Sequence, residues 1–104
     1  MREFSAEELR QHLESHSPFL LDVRQPWEYD VCRLENSTLV PMGQIPSQVD
    51  ELDKDRETVV ICHHGIRSRQ VARYLEQAGF NNVINLKGGV NAWAKSVNTE
   101  MATY

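Results

Sequence analysis

The sequence predicts an α/β fold of three layers, in which helices cover both faces of a central, mainly parallel β-sheet. Short apolar runs alternate along the chain with amphipathic segments, which is the pattern of parallel strands joined by helices. Several of these runs are continuously apolar rather than alternating, as in strands that are buried on both faces. The chain has 104 residues and no internal repeat, so we expect a single domain over residues 1–104.

The first half of the chain begins with a helix signal. Ser5 and Glu8 form a capping box ahead of the segment AEELRQHLES, in which Leu9 and Leu13 lie on one face. The elements that follow are a buried strand in FLLDV, a short helix that begins at Pro26, a short strand in STLV and an amphipathic helix in PSQVDEL.

The second half contains the clearest strand and the clearest helix. ETVVIC is rich in β-branched residues and predicts a strand, and RSRQVARYLEQAGF predicts a helix that begins near Arg67 and ends at Gly79 in the left-handed conformation. NVINL predicts a last strand, and a Gly88-Gly89 turn leads into a final helix in VNAWAKSV. We expect residues 97–104 to form a loose tail.

Composition argues against several classes of partner and location. The formal net charge is −4, which does not favour nucleic acid or an anionic membrane as the main partner. No run approaches the roughly 18 apolar residues that cross a bilayer, and the first residues contain no apolar secretory segment. With only Cys32 and Cys62, the chain lacks the disulfide framework of a small secreted domain. We therefore expect a cytoplasmic protein with two free thiols.

Cys62 is the candidate nucleophile because it stands at the end of a predicted strand and before a helix. Ligands bind beyond the carboxyl ends of parallel strands, and the N–H groups of a first helical turn lack intrahelical acceptors. Arg67 adds a positive charge, and Gly65 allows a tight turn. A thiol in such a place ionises more easily and can attack anionic sulfur or phosphorus compounds. The alternative is a small core residue at a strand end.

The segments CHHGIRS, FLLDVRQPWEY, LVPM and LEQAGFNNVINLKGGVNAW together resemble the rhodanese-like sulfurtransferases. CHHGIRS resembles that family's active-site loop, of the form Cys-x-x-Gly-x-Arg-Ser. FLLDVRQPWEY, LVPM and LEQAGFNNVINLKGGVNAW are similar to three further family segments in the same order, so that the resemblance covers nearly the whole chain.

The resemblance implies a single rhodanese-like domain that carries sulfur on a cysteine persulfide. Cys62 would take a sulfane sulfur from a small anionic donor such as thiosulfate and pass it to a thiol, cyanide or a sulfur-acceptor protein, without a metal or an organic cofactor. The residues of the loop that would bind the substrate are His63, His64, Gly65, Ile66, Arg67 and Ser68, with Arg67 on the anionic end of the donor. Asp22 and Arg24 would form a structural ion pair.

One segment departs from the family pattern. CRLENS, residues 32–37, stands where the family often has Gly-His-Ile-x-Gly-Ala. Asn36 tolerates a positive φ, so we expect the turn to be kept. Cys32 is either a second thiol that resolves a Cys62 persulfide or a small, partly buried residue.

Two other functions stay open from the sequence alone. The related cysteine phosphatases carry Cys-x5-Arg, whereas this chain has the shorter Cys-x4-Arg spacing, which favours sulfur over phosphate. Arsenate reduction by a related loop is less favoured on the same grounds. A non-catalytic sulfur-relay or interaction module is the third hypothesis. Cys62, His63 and His64 are consecutive, which is not the spacing of a metal site. The sequence leaves the physiological donor, the acceptor and the oligomeric state open.

Overall fold

The computed structural model describes all residues, 1–104, and contains one parallel sheet of five strands. The strands are β1 (Arg2–Phe4), β2 (Phe19–Asp22), β3 (Ser37–Leu39), β4 (Thr58–Ile61) and β5 (Val83–Leu86). Their order across the sheet is β1-β5-β4-β2-β3, and every neighbouring pair is parallel. The strand that ends next to Cys62 is therefore the central one.

Four α-helices connect the strands, and a fifth follows the last strand. They are α1 (Ala6–Leu13), α2 (Pro26–Val31), α3 (Ile45–Gln48), α4 (Ile66–Gln77) and α5 (Gly89–Ser96), with 3-10 turns at Met42–Gln44 and Val49–Glu51. The helix predicted in PSQVDEL is thus one α-helical turn continued as a 3-10 turn. None of these helices combines the length and the apolar character that a bilayer crossing requires.

Two hydrophobic clusters lie on opposite faces of the sheet, so the predicted α/β layering is confirmed. Neighbouring residues of one strand point to opposite faces, and Leu20 and Leu21 of β2 accordingly belong to different clusters. One cluster includes Leu75 of α4 and the other includes Leu9 of α1. The strands are apolar on both sides because helices cover both sides.

Local signals in the sequence act as expected at the helix ends. Ser5 and Glu8 exchange both hydrogen bonds of the capping box, at 3.1 and 2.9 Å. Gly79 follows α4 with a φ of +98°, and Asn36 keeps its turn with a φ of +66°.

The sequence analysis did not predict β1. This strand has three residues, lies at the edge of the sheet and pairs with β5, from Arg2 opposite Ile84 to Phe4 opposite Leu86. A segment so short and so exposed carries no hydrophobic periodicity, and its partner is about eighty residues away. Only the folded sheet defines it.

Gly89 permits the closest backbone contact beside the cysteine. Its φ is +58°, and a Cβ atom built there would lie 2.3 Å from the carbonyl oxygen of Cys62 and 2.5 Å from that of His63. The positive φ and the lack of space for a Cβ atom therefore both exclude a side chain at the start of α5.

We expect Gly89→Ala to lower the free energy of unfolding by more than the roughly 1–2 kcal/mol that a left-handed conformation alone costs. The additional loss comes from the clash with backbone atoms, which cannot move away cheaply. Urea denaturation measures the difference. Gly79→Ala is the matched control, because Gly79 also has a positive φ, of +98°, while only a side-chain carbon of Lys54 lies near a Cβ there, at 3.8 Å; an equal loss in both variants would contradict the close-contact explanation.

Candidate active site

Cys62 lies directly after β4, at the carboxyl edge of the sheet, and is followed by a three-residue turn and α4. The residue is 1% exposed and belongs to the hydrophobic cluster that includes Val71 and Leu75 of α4. Its sulfur nevertheless faces polar groups of the loop. The backbone N–H of Gly65 donates to Sγ at 3.0 Å, and Sγ lies 3.3 Å from the hydroxyl oxygen of Ser68.

The start of α5 holds the carbonyl groups of the loop. The N–H of Val90 donates to the carbonyl oxygen of Cys62 at 2.9 Å, and the N–H of Asn91 donates to that of His63 at 3.1 Å. In a trans peptide the N–H points away from the carbonyl oxygen. The N–H groups of His63 and His64 therefore point away from α5.

Five backbone N–H groups around the loop have no acceptor within the protein. They belong to His63, His64, Ile66, Arg67 and Ser68. The last three form the first turn of α4, where the positive end of the helix dipole adds to their attraction for an anion. Together with the N–H of Gly65 they supply the donors that a negatively charged sulfur on Cys62 requires.

Gly65 makes the tight turn between the cysteine and the helix possible. Its φ is +95°, and a Cβ atom would lie 3.0 Å from the backbone nitrogen of Gly88 and 3.3 Å from the carbonyl oxygen of Leu86. The loop thus rests directly on the turn between β5 and α5.

Arg67 is held by a carboxylate that the sequence analysis did not assign to the site. Nη1 and Nη2 of Arg67 donate to the two carboxylate oxygens of Glu28, each at 2.8 Å. The Glu28 side chain is only 5% exposed. The pair lowers the pKa of Glu28 to about 2, chiefly through the hydrogen bonds from Arg67, and it raises the pKa of Arg67.

Tyr104 joins the same network from the segment predicted as a loose tail. Its hydroxyl donates to Glu28 at 2.9 Å and accepts from Nη1 of Arg24 at 3.0 Å. Its ring stacks on His63, with centroids 3.9 Å apart. Burial and the bond to Glu28 raise the pKa of Tyr104 to about 12. Tyr104 thereby links the loop to α2.

His63 adds no positive charge to the loop near neutral pH. Burial lowers its pKa from the usual 6.5, and the neighbouring His64 lowers it further. Arg67 supplies the permanent positive charge of the loop, and His63 contributes its backbone N–H group.

Asp22 and Arg24 lie together in the interior, both fully buried. The closest contact joins Nη2 of Arg24 to Oδ2 of Asp22 at 2.7 Å. Arg24 also donates to the carbonyl oxygens of Glu28 and Cys32, at 3.3 and 2.7 Å. This pair connects the end of β2 to α2 and does not contact Cys62. Removing one partner of such a buried pair costs about 3–5 kcal/mol.

Cys32 lies away from Cys62. The two thiols are free and belong to hydrophobic clusters on opposite faces of the sheet. Cys32 is 9% exposed, and its sulfur is 3.8 Å from Nη1 of Arg24. This arrangement favours the simpler interpretation of Cys32 as a small buried residue.

The largest cavity is not at this site. It has a volume of about 550 Å³ and lies at the amino ends of the strands, where Phe19, Asn36 and Arg56 form part of its wall. Ligands of open parallel sheets bind at the opposite, carboxyl edge. The chemistry of Cys62, rather than cavity size, therefore identifies the candidate site.

Comparison with known proteins decides the family. The family model for the Rhodanese-like domain matches residues 5–96. The chain belongs to this family. A sulfurtransferase of Allochromatium vinosum is 38% identical over 91% of this chain and 90% of its own length. YtwF of Bacillus subtilis, which is named as a candidate sulfurtransferase, is 37% identical over 89% of this chain and 90% of its own length.

A solved structure supports the same assignment. The rhodanese-like domain protein from Staphylococcus aureus superposes with a TM-score of 0.83 at 33% identity, covering 89% of this chain and 91% of that one. The resemblance noted in the sequence is thus confirmed, and this rhodanese-like domain belongs among proteins of sulfur transfer.

We expect Glu28→Gln to change the acid stability of the domain. The folded-state pKa of Glu28 is about 2 against an ordinary 4.5, so the carboxylate stabilises the fold above pH 4.5 and loses this effect as the pH falls toward 2. The contribution is on the order of 2–3 kcal/mol.

Chemical denaturation of the two proteins between pH 7 and pH 2 measures this effect. Glu28→Gln should be less stable at pH 7 and should lose less stability on acidification. Glu35→Gln is the control, since Glu35 is exposed and makes no ion pair. Parallel pH curves for Glu28→Gln and the unchanged protein would contradict the role given to the ion pair.

Proposed function

We propose that this domain is a sulfurtransferase that moves a sulfane sulfur through a persulfide on Cys62. The supporting observation is the set of unpaired backbone N–H groups around a cysteine at the carboxyl edge of the sheet. Such donors stabilise an anionic terminal sulfur, because charge-assisted hydrogen bonds are stronger than neutral ones.

In the first half-reaction the Cys62 thiolate attacks the sulfane sulfur of the donor. A bond forms between Sγ and that sulfur while the sulfur–sulfur bond of the donor breaks, and the leaving group departs with the electron pair. With thiosulfate the leaving group is sulfite. The thiol proton passes to solvent, and the loop N–H groups receive the negative outer sulfur.

In the second half-reaction an acceptor attacks the outer sulfur. A thiolate or cyanide forms a bond to it, the Sγ–S bond breaks, and the electron pair returns to Cys62. The cycle consumes no net oxidant or reductant and leaves the enzyme unchanged. The same chemistry serves a small acceptor and a protein that carries sulfur.

Arg67 binds the anionic part of the donor in this proposal. A guanidinium has five N–H donors, and two of those on Arg67 are used by Glu28. Its side chain is 34% exposed, so the three remaining donors are available to a ligand. Glu28 fixes the orientation of the guanidinium and thereby prepares it for binding.

Phosphate hydrolysis is the less favoured alternative for this loop. Only four residues, 63 to 66, separate Cys62 from Arg67, and the turn is pressed against the β5–α5 turn at Gly65. A phosphate group carries three oxygens that need donors, whereas a persulfide presents one sulfur atom. The compact loop matches the smaller group.

We expect the intact mass to increase by one sulfur atom after treatment with thiosulfate. Cyanide should remove this increase, Cys62→Ser should abolish it, and Cys32→Ser should retain it because Cys32 lies outside the loop. Mass spectrometry of the intact protein checks all four results. Hydrolysis of an aryl phosphate without any sulfur uptake would reverse the ranking of the two functions.

We also expect Arg67→Ala to reduce kcat/KM for thiosulfate by about 10- to 100-fold, the effect of losing a charged hydrogen bond to the donor. Arg69→Ala is the matched control, because Arg69 is on the same helix but pairs with Glu3. Thiocyanate formation in the presence of cyanide measures both rates. Equal activity in the two variants would show that Arg67 does not bind the donor.

A further inference from the structure

Asn85 holds both residues whose polar groups touch the sulfur of Cys62. It lies in β5 and is fully buried. Its Oδ1 is 2.5 Å from the hydroxyl oxygen of Ser68, and its Nδ2 donates to the carbonyl oxygen of Gly65 at 3.3 Å. The N–H of Gly65 and the hydroxyl of Ser68 are in turn the two polar neighbours of Sγ.

The partners of Asn85 determine which way its amide points. Nδ2 lies 2.8 Å from a carboxylate oxygen of Glu3 as well as within reach of the Gly65 carbonyl. Both of these groups can only accept, since the hydrogen bonds from Asn85 and Arg69 lower the pKa of Glu3 and keep it ionised. The nitrogen must therefore occupy this position, and Oδ1 must face Ser68.

The position of the Ser68 proton follows from this orientation. An amide oxygen cannot donate, and a serine hydroxyl has one proton. Ser68 therefore donates to Asn85, and it presents a lone pair to Sγ at 3.3 Å. A thiol can donate its proton to that lone pair, whereas a thiolate finds no donor there.

We propose that Asn85 is a positioning residue that keeps the Ser68 proton away from Cys62 and so favours the thiol in the resting protein. The proposal deepens the proposed function, because it rests on Cys62 as the nucleophile. Of the two polar groups that already touch Sγ, the N–H of Gly65 donates to it, and the Ser68 hydroxyl could donate to a thiolate only by turning toward it. That rotation would leave the buried Oδ1 of Asn85 without a donor, which is costly.

The effect proposed for Asn85 on the Cys62 thiol is separate from that of the charged groups around the sulfur. Arg67 of α4 is the nearby cation, Glu28 of α2 pairs with it, and His63 and His64 follow Cys62 in the loop. From β1, Glu3 acts only through Asn85. Asn85 and Ser68 are uncharged, so replacing them changes hydrogen bonds at the sulfur without changing any of these charges.

The test is a titration of the Cys62 thiolate by its ultraviolet absorbance, with the matching Cys62→Ser protein subtracted for each variant. Asn85→Leu removes the acceptor of the Ser68 proton, which then donates to the thiolate. The pH midpoint should fall by about one unit, the usual effect of a new hydrogen bond to a charged form. Asn85→Val, whose side chain suits a strand, should shift the midpoint in the same direction.

Ser68 must mediate this shift if the proposal is correct. In the Ser68→Ala background, Asn85→Leu should therefore produce no further fall. Glu3→Ala tests whether the lost contact with Glu3 is responsible, and Asn81→Leu is a control at an exposed asparagine whose side chain bonds only Asp55, away from the loop. Neither should move the midpoint. Thermal unfolding of each variant verifies that it is folded.

Three results would overturn the proposal. The first is an unchanged or raised pH midpoint of thiolate formation in folded Asn85→Leu or Asn85→Val. The second is an equal fall of the midpoint on Asn85→Leu with and without the Ser68 hydroxyl. The third is a raised midpoint in Ser68→Ala alone. The last would mean that Ser68 donates to the thiolate, and it does not depend on the folding of an Asn85 variant. No sulfur donor is present in the titration, so a failure of sulfur transfer in the mass experiment is a separate outcome.

Discussion

Two hydrogen bonds from the start of α5 to the carbonyl groups of Cys62 and His63 set the direction of the peptide groups in the loop. Once these carbonyl oxygens face α5, the following N–H groups face the other way. Gly89 makes the contact possible because it has no side chain to separate the two backbones. The strand end that carries the thiol is thereby lined with hydrogen-bond donors.

Charge at the site is nearly balanced before any substrate arrives. The guanidinium groups of Arg24 and Arg67 are paired with the carboxylates of Asp22 and Glu28, respectively. A negative sulfur on Cys62 is an additional charge that these pairs do not neutralise. The backbone N–H groups and the dipole of α4 must therefore carry most of its stabilisation, which is why the shape of the loop matters more than the number of basic residues near it.

The sequence was sufficient for the parts of the molecule that depend on local patterns. The strand before Cys62, the helix after it and the glycine turn before α5 all follow from hydrophobic periodicity and from glycine positions. Asn85 and Tyr104 were missed because their contacts join residues far apart in the chain. A polar residue inside the apolar run NVINL was nevertheless a usable signal, since a buried amide must have partners.

The arginine of the loop shows the same limit. Its charge and position could be predicted from the spacing to Cys62, but its partner could not, because Glu28 is 39 residues earlier in the chain. The contact forms only when α2 and α4 are placed at the same edge of the sheet. Only the folded structure therefore shows which charged side chains of the site are already paired with each other.

The most direct measurement of the central claim is a crystal structure of the protein after exposure to thiosulfate. We expect one additional sulfur atom bonded to Sγ of Cys62 and within hydrogen-bond distance of the unpaired N–H groups of residues 63, 64 and 66–68. An additional sulfur directed away from those groups, or one bonded to Cys32 instead, would contradict the account.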